Sequence, residues 1–99
     1  MRKSDTYNEQ ILRTAEVEAD GISYTYTLSV STSKRVASFR LPLYTIGVRM
    51  RCADGEVSEA DTGAIFADVG KAVVFYERLV DNLATPIDLL YVLEDSITV

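Results

Sequence analysis

The side chains that could do chemistry in this 99-residue chain are its carboxylates, its arginines and one cysteine, because the sequence contains no histidine. Without histidine, a serine or cysteine nucleophile lacks its usual general base, and a histidine-ligated metal is excluded. Cys52 ends an alternating run on its apolar side, which predicts a buried, inert thiol. We therefore expect no catalytic residue and no cofactor, although the sequence does not exclude a minor enzyme.

Carboxylates could still hold Mg²⁺ or Ca²⁺ through oxygen ligands. Their spacing matches no metal-binding motif, and the sequence offers simpler explanations for most of them. Asp68 and Asp88 are typical of helix starts, and the pair Glu94 and Asp95 is typical of a solvated helix end. We expect no metal site. The five candidates considered are Asp61, Asp68, Asp88, Glu94 and Asp95.

The charged residues are segregated along the chain. Residues 21–53 carry five basic and no acidic side chains, whereas residues 54–99 have a net charge of −8. Arg49 and Arg51 lie on the polar side of a predicted strand, so they indicate an anion-binding or partner-docking patch. The alternative is a solvated face on which these arginines pair with Glu16 or Glu18. The basic side chains of the middle segment are Lys34, Arg35, Arg40, Arg49 and Arg51.

Alternation of apolar and polar residues predicts strands in the first two thirds of the chain. Residues 11–19 and 22–30 alternate on either side of Asp20-Gly21, which favours a hairpin with a two-residue loop. Such a loop would place both apolar sets on one face of the sheet. The predicted register pairs Ala19 with Ile22, Val17 with Tyr24, Ala15 with Tyr26 and Ile11 with Val30.

Two further strands are predicted around a second Asp-Gly pair, Asp54-Gly55. Residues 44–52 alternate clearly, and residues 56–62 alternate weakly. A two-residue loop would turn Glu59 and Asp61 toward the apolar face, so we expect a bulge or a longer turn there. Residues 31–43 indicate an edge strand or an ordered loop, because Pro42 has no N–H to donate in a central strand.

The last third of the chain has helical periodicity. Apolar residues recur every three or four positions from Val69 to Leu83, which predicts an amphipathic helix beginning at Asp68. A second helix is predicted at Thr85-Pro86, where threonine would cap and proline would occupy the first helical position. Asp88 would face the positive end of the helix dipole. The apolar stripes predicted for the two helices are Val69, Ala72, Val73, Tyr76, Leu79, Val80 and Leu83, and Leu89, Leu90, Leu93 and Ile97.

These elements predict one α+β domain over residues 1–99, with residues 1–9 as a flexible polar tail. The expected architecture is an antiparallel hairpin meander of four to five strands, covered on one face by two C-terminal helices. Tyr24 and Tyr26 would lie on the apolar face of the sheet, and Tyr76 and Tyr91 would lie on the helices. Core packing explains them most simply, and the alternative is a tyrosine-lined pocket between sheet and helices.

The composition predicts a cellular compartment and disfavours two kinds of partner, membranes and nucleic acids. A single cysteine cannot form an internal disulfide, which favours the cytoplasm. The longest apolar runs are far shorter than the roughly 20 residues of a membrane-spanning helix, so no membrane insertion is expected. A pI near 4.6 makes nucleic acid an unfavourable partner.

The C-terminal third also carries a recognisable motif. Residues 65–68, the first predicted helix and above all Ala84-Thr85-Pro86-Ile87-Asp88-Leu89-Leu90-Tyr91-Val92-Leu93-Glu94-Asp95 resemble a family of short uncharacterised bacterial proteins, mostly of Firmicutes. Those proteins end in a similar Pro-Ile-x-Leu-x-x-Val-x-Glu-Asp motif, and the resemblance is clear over residues 57–97. It implies a stand-alone cytoplasmic domain and no assigned activity. Any role specific to the motif would involve Thr85, Pro86, Asp88, Glu94 and Asp95.

Two functions are compatible with these observations. The first is a small non-enzymatic interaction or regulatory protein, in which the basic sheet face and the acidic helical end drive formation of a homodimer or docking of another protein. The second is a small-molecule binder or minor enzyme that holds an apolar or aromatic ligand among the tyrosines and orients it with an arginine.

Overall fold

A four-stranded sheet followed by two helices forms the protein in the computed structural model, which describes residues 7–33 and 42–97. The sheet order is β1-β2-β3-β4, and each neighbouring pair is antiparallel. The predicted α+β meander under two C-terminal helices is therefore confirmed, with four strands. The elements are β1 (Tyr7–Ala19), β2 (Ile22–Ser33), β3 (Pro42–Arg51), β4 (Val57–Asp61), α1 (Val69–Asp81) and α2 (Pro86–Ile97).

The first hairpin follows the predicted register near its turn. Asp20 and Gly21 both have positive φ, at 55° and 77°, as a type I′ turn requires. The three pairs next to the turn are confirmed, but Ile11 lies opposite Ser29 instead of Val30. A bulge between Ile11 and Arg13 inserts one extra residue and shifts the outer part of β1. Ile11 is consequently 62% exposed.

The ends of the strands differ from the sequence expectation. β1 begins at Tyr7, so residues 7–9 belong to a strand and not to a polar tail. β2 continues to Ser33, and Pro42 is the first residue of β3. A proline is tolerated at the first position of a strand. Residues 34–41, which include Lys34, Arg35 and Arg40 and most of the predicted edge strand or loop, lie outside the described residues.

The turn between β3 and β4 is longer than two residues, as expected. The Cys52 N–H donates to the Glu56 carbonyl at 2.8 Å, and Gly55 has φ 96°. This geometry keeps Arg49 opposite Glu59 and Val48 opposite Ala60. Glu59 therefore points away from the apolar face of the sheet.

Both helices pack on the apolar face of the sheet, α1 over β2 and β3, and α2 over β3 and β4. Among the described side chains, the predicted stripes wrongly included Val69 and Leu90, which are exposed, and omitted Phe75, which is buried. The side chain of Ile97 lies outside the described residues. The buried arc of α1 still includes Ala72, Tyr76 and Leu79 of the predicted stripe, so packing changed its edges and not its centre. In the described residues, neither helix is long and apolar enough to cross a membrane. The buried apolar residues are Tyr24, Tyr26, Leu28, Ile46, Val48, Ala72, Phe75, Tyr76, Leu79, Ala84 and Leu89.

Candidate functional site

The face of the sheet that points away from the helices, here called the open face, carries an ordered array of polar residues. Adjacent strands are in register, so residues directly opposite one another form rows that run across all four strands. Because every second residue of a strand points to this face, three such rows follow one another along the sheet. The rows are Thr14-Thr27-Gly47-Asp61, Glu16-Thr25-Arg49-Glu59 and Glu18-Ser23-Arg51-Val57.

These rows produce bands of charge that run parallel to the strands. β1 contributes the carboxylates of Glu16 and Glu18, β2 contributes small neutral hydroxyls, and β3 contributes Arg49 and Arg51. β4 adds the carboxylates of Glu59 and Asp61 beside the basic band. Neighbouring strands lie about 4.8 Å apart, so the acidic and basic bands are about 10 Å apart with β2 midway between them. A shallow depression of about 480 Å³ lies over β2, and its lining includes these four charged residues.

The arginines expected to form a basic patch are part of a mixed face. Arg49 Nε lies 3.6 Å from Glu59 Oε2, so its partner comes from β4 and not from Glu16 or Glu18 as the sequence suggested. Both side chains of this pair are more than half exposed, and such pairs contribute at most ~1 kcal/mol. Among the described residues Arg51 forms no ion pair. The sequence did not predict that Glu59 lies opposite Arg49, because residues 56–62 alternate only weakly. The length of the turn between β3 and β4 determines the face on which Glu59 lies.

The four tyrosines do not share a pocket. Tyr24 and Tyr26 stack in the core with ring centroids 6.3 Å apart, and Tyr76 is a buried residue of α1. Tyr91 is 66% exposed and lines a cleft between the helices, whereas Tyr24 borders the depression on the sheet. Core packing therefore accounts for three of them.

Burial alters the acidity of the core tyrosines. It raises the pKa of Tyr26 to about 12, assisted by the nearby Tyr24 and Asp88, and it also raises the pKa of Tyr76. The Tyr26 hydroxyl donates to the Ala84 carbonyl at 2.9 Å. The neutral Tyr26 hydroxyl, buried and hydrogen-bonded in this way, joins the sheet to the chain between α1 and α2.

The motif at the start of α2 forms a reciprocal cap. The Asp88 N–H donates to Thr85 Oγ1 at 3.2 Å, and the Thr85 N–H donates to Asp88 Oδ2 at 3.1 Å. Pro86 is the first residue of α2, as predicted from the sequence. Aspartate here takes the place of the glutamate or glutamine of the usual capping box. Glu94 and Asp95 lie near the C-terminal end of α2.

Two other candidate carboxylates, those of Asp61 and Asp68, also accept hydrogen bonds from backbone N–H groups. Asp68 Oδ1 accepts hydrogen bonds from the N–H groups of Gly70 and Lys71, at 2.7 and 3.2 Å, and so caps α1. Asp61 Oδ1 accepts from the Gly63 N–H at 2.9 Å. Within the described part of the chain, no three carboxylate or thiol residues come together as metal ligands.

Comparison with known proteins gives one match. No curated protein and no solved structure matches the chain. A family model covers residues 7–99, a longer stretch than residues 57–97, over which the resemblance was clear from the sequence. The chain belongs to a family of unknown function, DUF6514.

Proposed function

We propose that the protein is a small non-enzymatic interaction module that forms a homodimer by pairing the open faces of two copies. The observation that carries this function is the equal spacing of the acidic and basic bands on either side of β2. A surface that associates with itself about a two-fold axis must be its own complement. An acidic and a basic band at equal distances from a neutral centre meet this condition.

The register defines the pairs that such a dimer would form. A two-fold axis parallel to β2 places β1 of one copy over β3 of the other and leaves each row at its own level. Glu16 then faces the partner's Arg49, and Glu18 faces the partner's Arg51. The two-fold axis generates the same two pairs with the copies exchanged, so the dimer contains four such pairs. The small Ser23 and Thr25 at the centre let the two sheets approach one another.

The position of the helices favours this arrangement over contact between the arginines and the acidic helical end. Both helices cover the apolar face, opposite to Arg49 and Arg51. Contact between an open face and the helical layer of a second copy would be head-to-tail, and head-to-tail contacts continue into filaments unless they close into rings. When two open faces pair about a two-fold axis, each copy has used its open face, so the assembly ends at the dimer. The lone Cys52 supports a cytoplasmic setting, because the fold depends on no disulfide.

Charge reversal tests this function directly. Sedimentation velocity on the native protein should show a dimer that dissociates as salt rises, because exposed charge pairs are screened. Arg49→Glu with Arg51→Glu, or Glu16→Arg with Glu18→Arg, should each raise the dimer dissociation constant by about tenfold or more. The four changes combined restore opposite charges across the interface and should restore the dimer.

A matched control separates the interface from overall charge. Glu77→Arg with Asp81→Arg changes net charge as much as Glu16→Arg with Glu18→Arg, but these residues are exposed on α1. This control should leave the dimer intact, and circular dichroism should confirm that every variant is folded. A monomeric native protein, or a fourfold variant as monomeric as the two double variants, would refute open-face pairing.

A further inference from the structure

An apolar groove runs along α1 on the helical side of the protein, away from the open face. Phe66 and Phe75 form its base, with ring centroids 5.2 Å apart, and Val74 borders it with 55% of its surface exposed. The groove has a volume of about 620 Å³ and is open to solvent along its length. The exposed side chain of Val74 and the aromatic base of the groove can contact apolar side chains of another molecule.

Basic residues lie beside this apolar surface. Lys71 and Arg78 line the groove, and they are the only basic residues between positions 54 and 99. Together with Val74 and Phe75 they occupy positions i, i+3, i+4 and i+7 of α1, which share one side of a helix. Positive charge in an otherwise acidic half of the chain is thus concentrated along one apolar groove.

The acidic residues nearby do not cancel this charge within the groove. Asp68 is the acidic residue that lines it, and its carboxylate is engaged by the N–H groups at the start of α1. Glu77 and Asp81 are exposed on α1 and are not part of the lining. The groove therefore presents the ammonium group of Lys71 and the guanidinium group of Arg78 beside its apolar base.

We infer that this groove binds an acidic amphipathic helix of a partner protein. Small molecules bind in sites that cover most of their surface, and this groove is too open to do so. An amphipathic helix covers such a groove with large apolar side chains spaced three and four residues apart. Lys71 and Arg78 lie about 10.5 Å apart along α1, which matches two acidic residues seven positions apart on the bound helix.

Binding to the groove does not depend on pairing of the open faces, because the two surfaces lie on opposite sides of the sheet. In a dimer formed through the open faces, both grooves would face outward. Each dimer would then hold two partner helices.

The test uses a synthetic probe with the inferred chemistry. The probe is a fluorescent helical peptide with leucines at positions i, i+3, i+4 and i+7 and glutamates seven residues apart beside them. Fluorescence anisotropy with the full chain should show saturable binding with a dissociation constant below about 1 mM. A peptide with lysines in place of the glutamates should bind at least tenfold more weakly.

Variants of the protein locate the binding site. Lys71→Glu with Arg78→Glu, and separately Val74→Asp, should weaken binding of the acidic peptide by about tenfold or more. All three positions are exposed or line the groove, so the fold should survive. Arg49→Glu with Arg51→Glu changes net charge by the same amount as the first variant and should leave peptide binding unchanged.

Three results would overturn the inference. The first is the absence of saturable binding by the acidic peptide. The second is equal affinity of the native protein and the Lys71→Glu, Arg78→Glu variant for that peptide. The third is a loss of self-association caused by the groove variants alone, which would identify a second copy of the chain as the occupant.

Discussion

Tyr26 illustrates how one polar atom can join two layers of the fold. Its ring is fully buried in the sheet, and its hydroxyl donates to the Ala84 carbonyl, at the junction between α1 and α2. Tyr26→Phe keeps the packing but leaves that carbonyl without its donor. We expect the free energy of unfolding to fall by about 1–2 kcal/mol in urea denaturation. Tyr91→Phe removes a hydroxyl from an exposed side chain and is the matched control, expected to have no effect.

The same hydroxyl makes stability depend on alkaline pH. The pKa of Tyr26 is raised to about 12 in the folded protein, against about 10 in an unfolded chain. The unfolded state therefore releases the proton first, so stability is full below pH 10 and falls as pH rises from about 10 to about 12. The loss reaches up to about 3 kcal/mol for such a shift. Denaturation measured across this range should show a smaller decline for Tyr26→Phe, and an equal decline would contradict this origin.

Two glycines should respond to alanine in opposite directions. Gly21 has φ 77° in the first hairpin turn, where a side chain is strained. Gly47 lies within β3, and a Cβ there would meet the Ala60 carbonyl oxygen and the Asp61 Cβ at an ordinary 3.7 Å. Thermal melts should show Gly21→Ala losing about 1 kcal/mol and Gly47→Ala gaining up to about 1 kcal/mol. A stabilising Gly21→Ala would contradict the turn geometry.

At the scale of elements, the reciprocal cap should stabilise the start of α2. Thr85→Ala removes the acceptor for the Asp88 N–H and should cost about 1 kcal/mol in chemical denaturation. Thr85→Ser retains a hydroxyl in the same position and should recover most of that loss. If alanine and serine behave alike at this position, the cap is not what stabilises the helix start.

Some features of these elements could be predicted from sequence because they depend on local geometry. The turn at Asp20-Gly21 sets its own register, so the pairs nearest the turn were correct. The bulge near Ile11 has no comparable local signal, and it changes the face on which every earlier residue of β1 lies. The apolar groove on α1 could not be predicted, because Phe66 and Phe75 meet only when the chain after β4 returns to β3.

In the candidate site, too, the features that depend on local geometry were predictable and those that depend on distant parts of the chain were not. Alternation placed Arg49 and Arg51 on the polar side of β3 correctly. Their neighbours depend on register across four strands, and so neither the partner Glu59 nor the equal spacing of the charge bands was visible in the sequence. The reciprocal cap at Thr85 and Asp88 was predictable because all its atoms lie within one turn of chain.

At the scale of the whole molecule, the sheet separates two surfaces that should act independently. Arg49 and Arg51 lie on the open face, and Lys71 and Arg78 line the groove on the helical side. Substitutions that are far apart and share no partner add in free energy to within about 0.5 kcal/mol. A protein carrying both double reversals should therefore show the dimer dissociation constant of one double variant and the peptide affinity of the other.

The number of peptides bound per dimer, and their affinities, show whether the groove and the open face act independently or are coupled. If the open faces pair as proposed, titration with the acidic peptide should end at two peptides per dimer, with equal affinities and no change in the dimer dissociation constant. Thermodynamic linkage requires that if peptide binding strengthened the dimer, dimerisation would strengthen peptide binding by the same factor. Arg49→Glu with Arg51→Glu should weaken the proposed dimer by about tenfold or more. At a protein concentration between the two dimer dissociation constants, comparing its peptide affinity with that of the native protein measures that factor. A difference of more than about threefold between monomer and dimer would show that the sheet transmits binding from one face to the other.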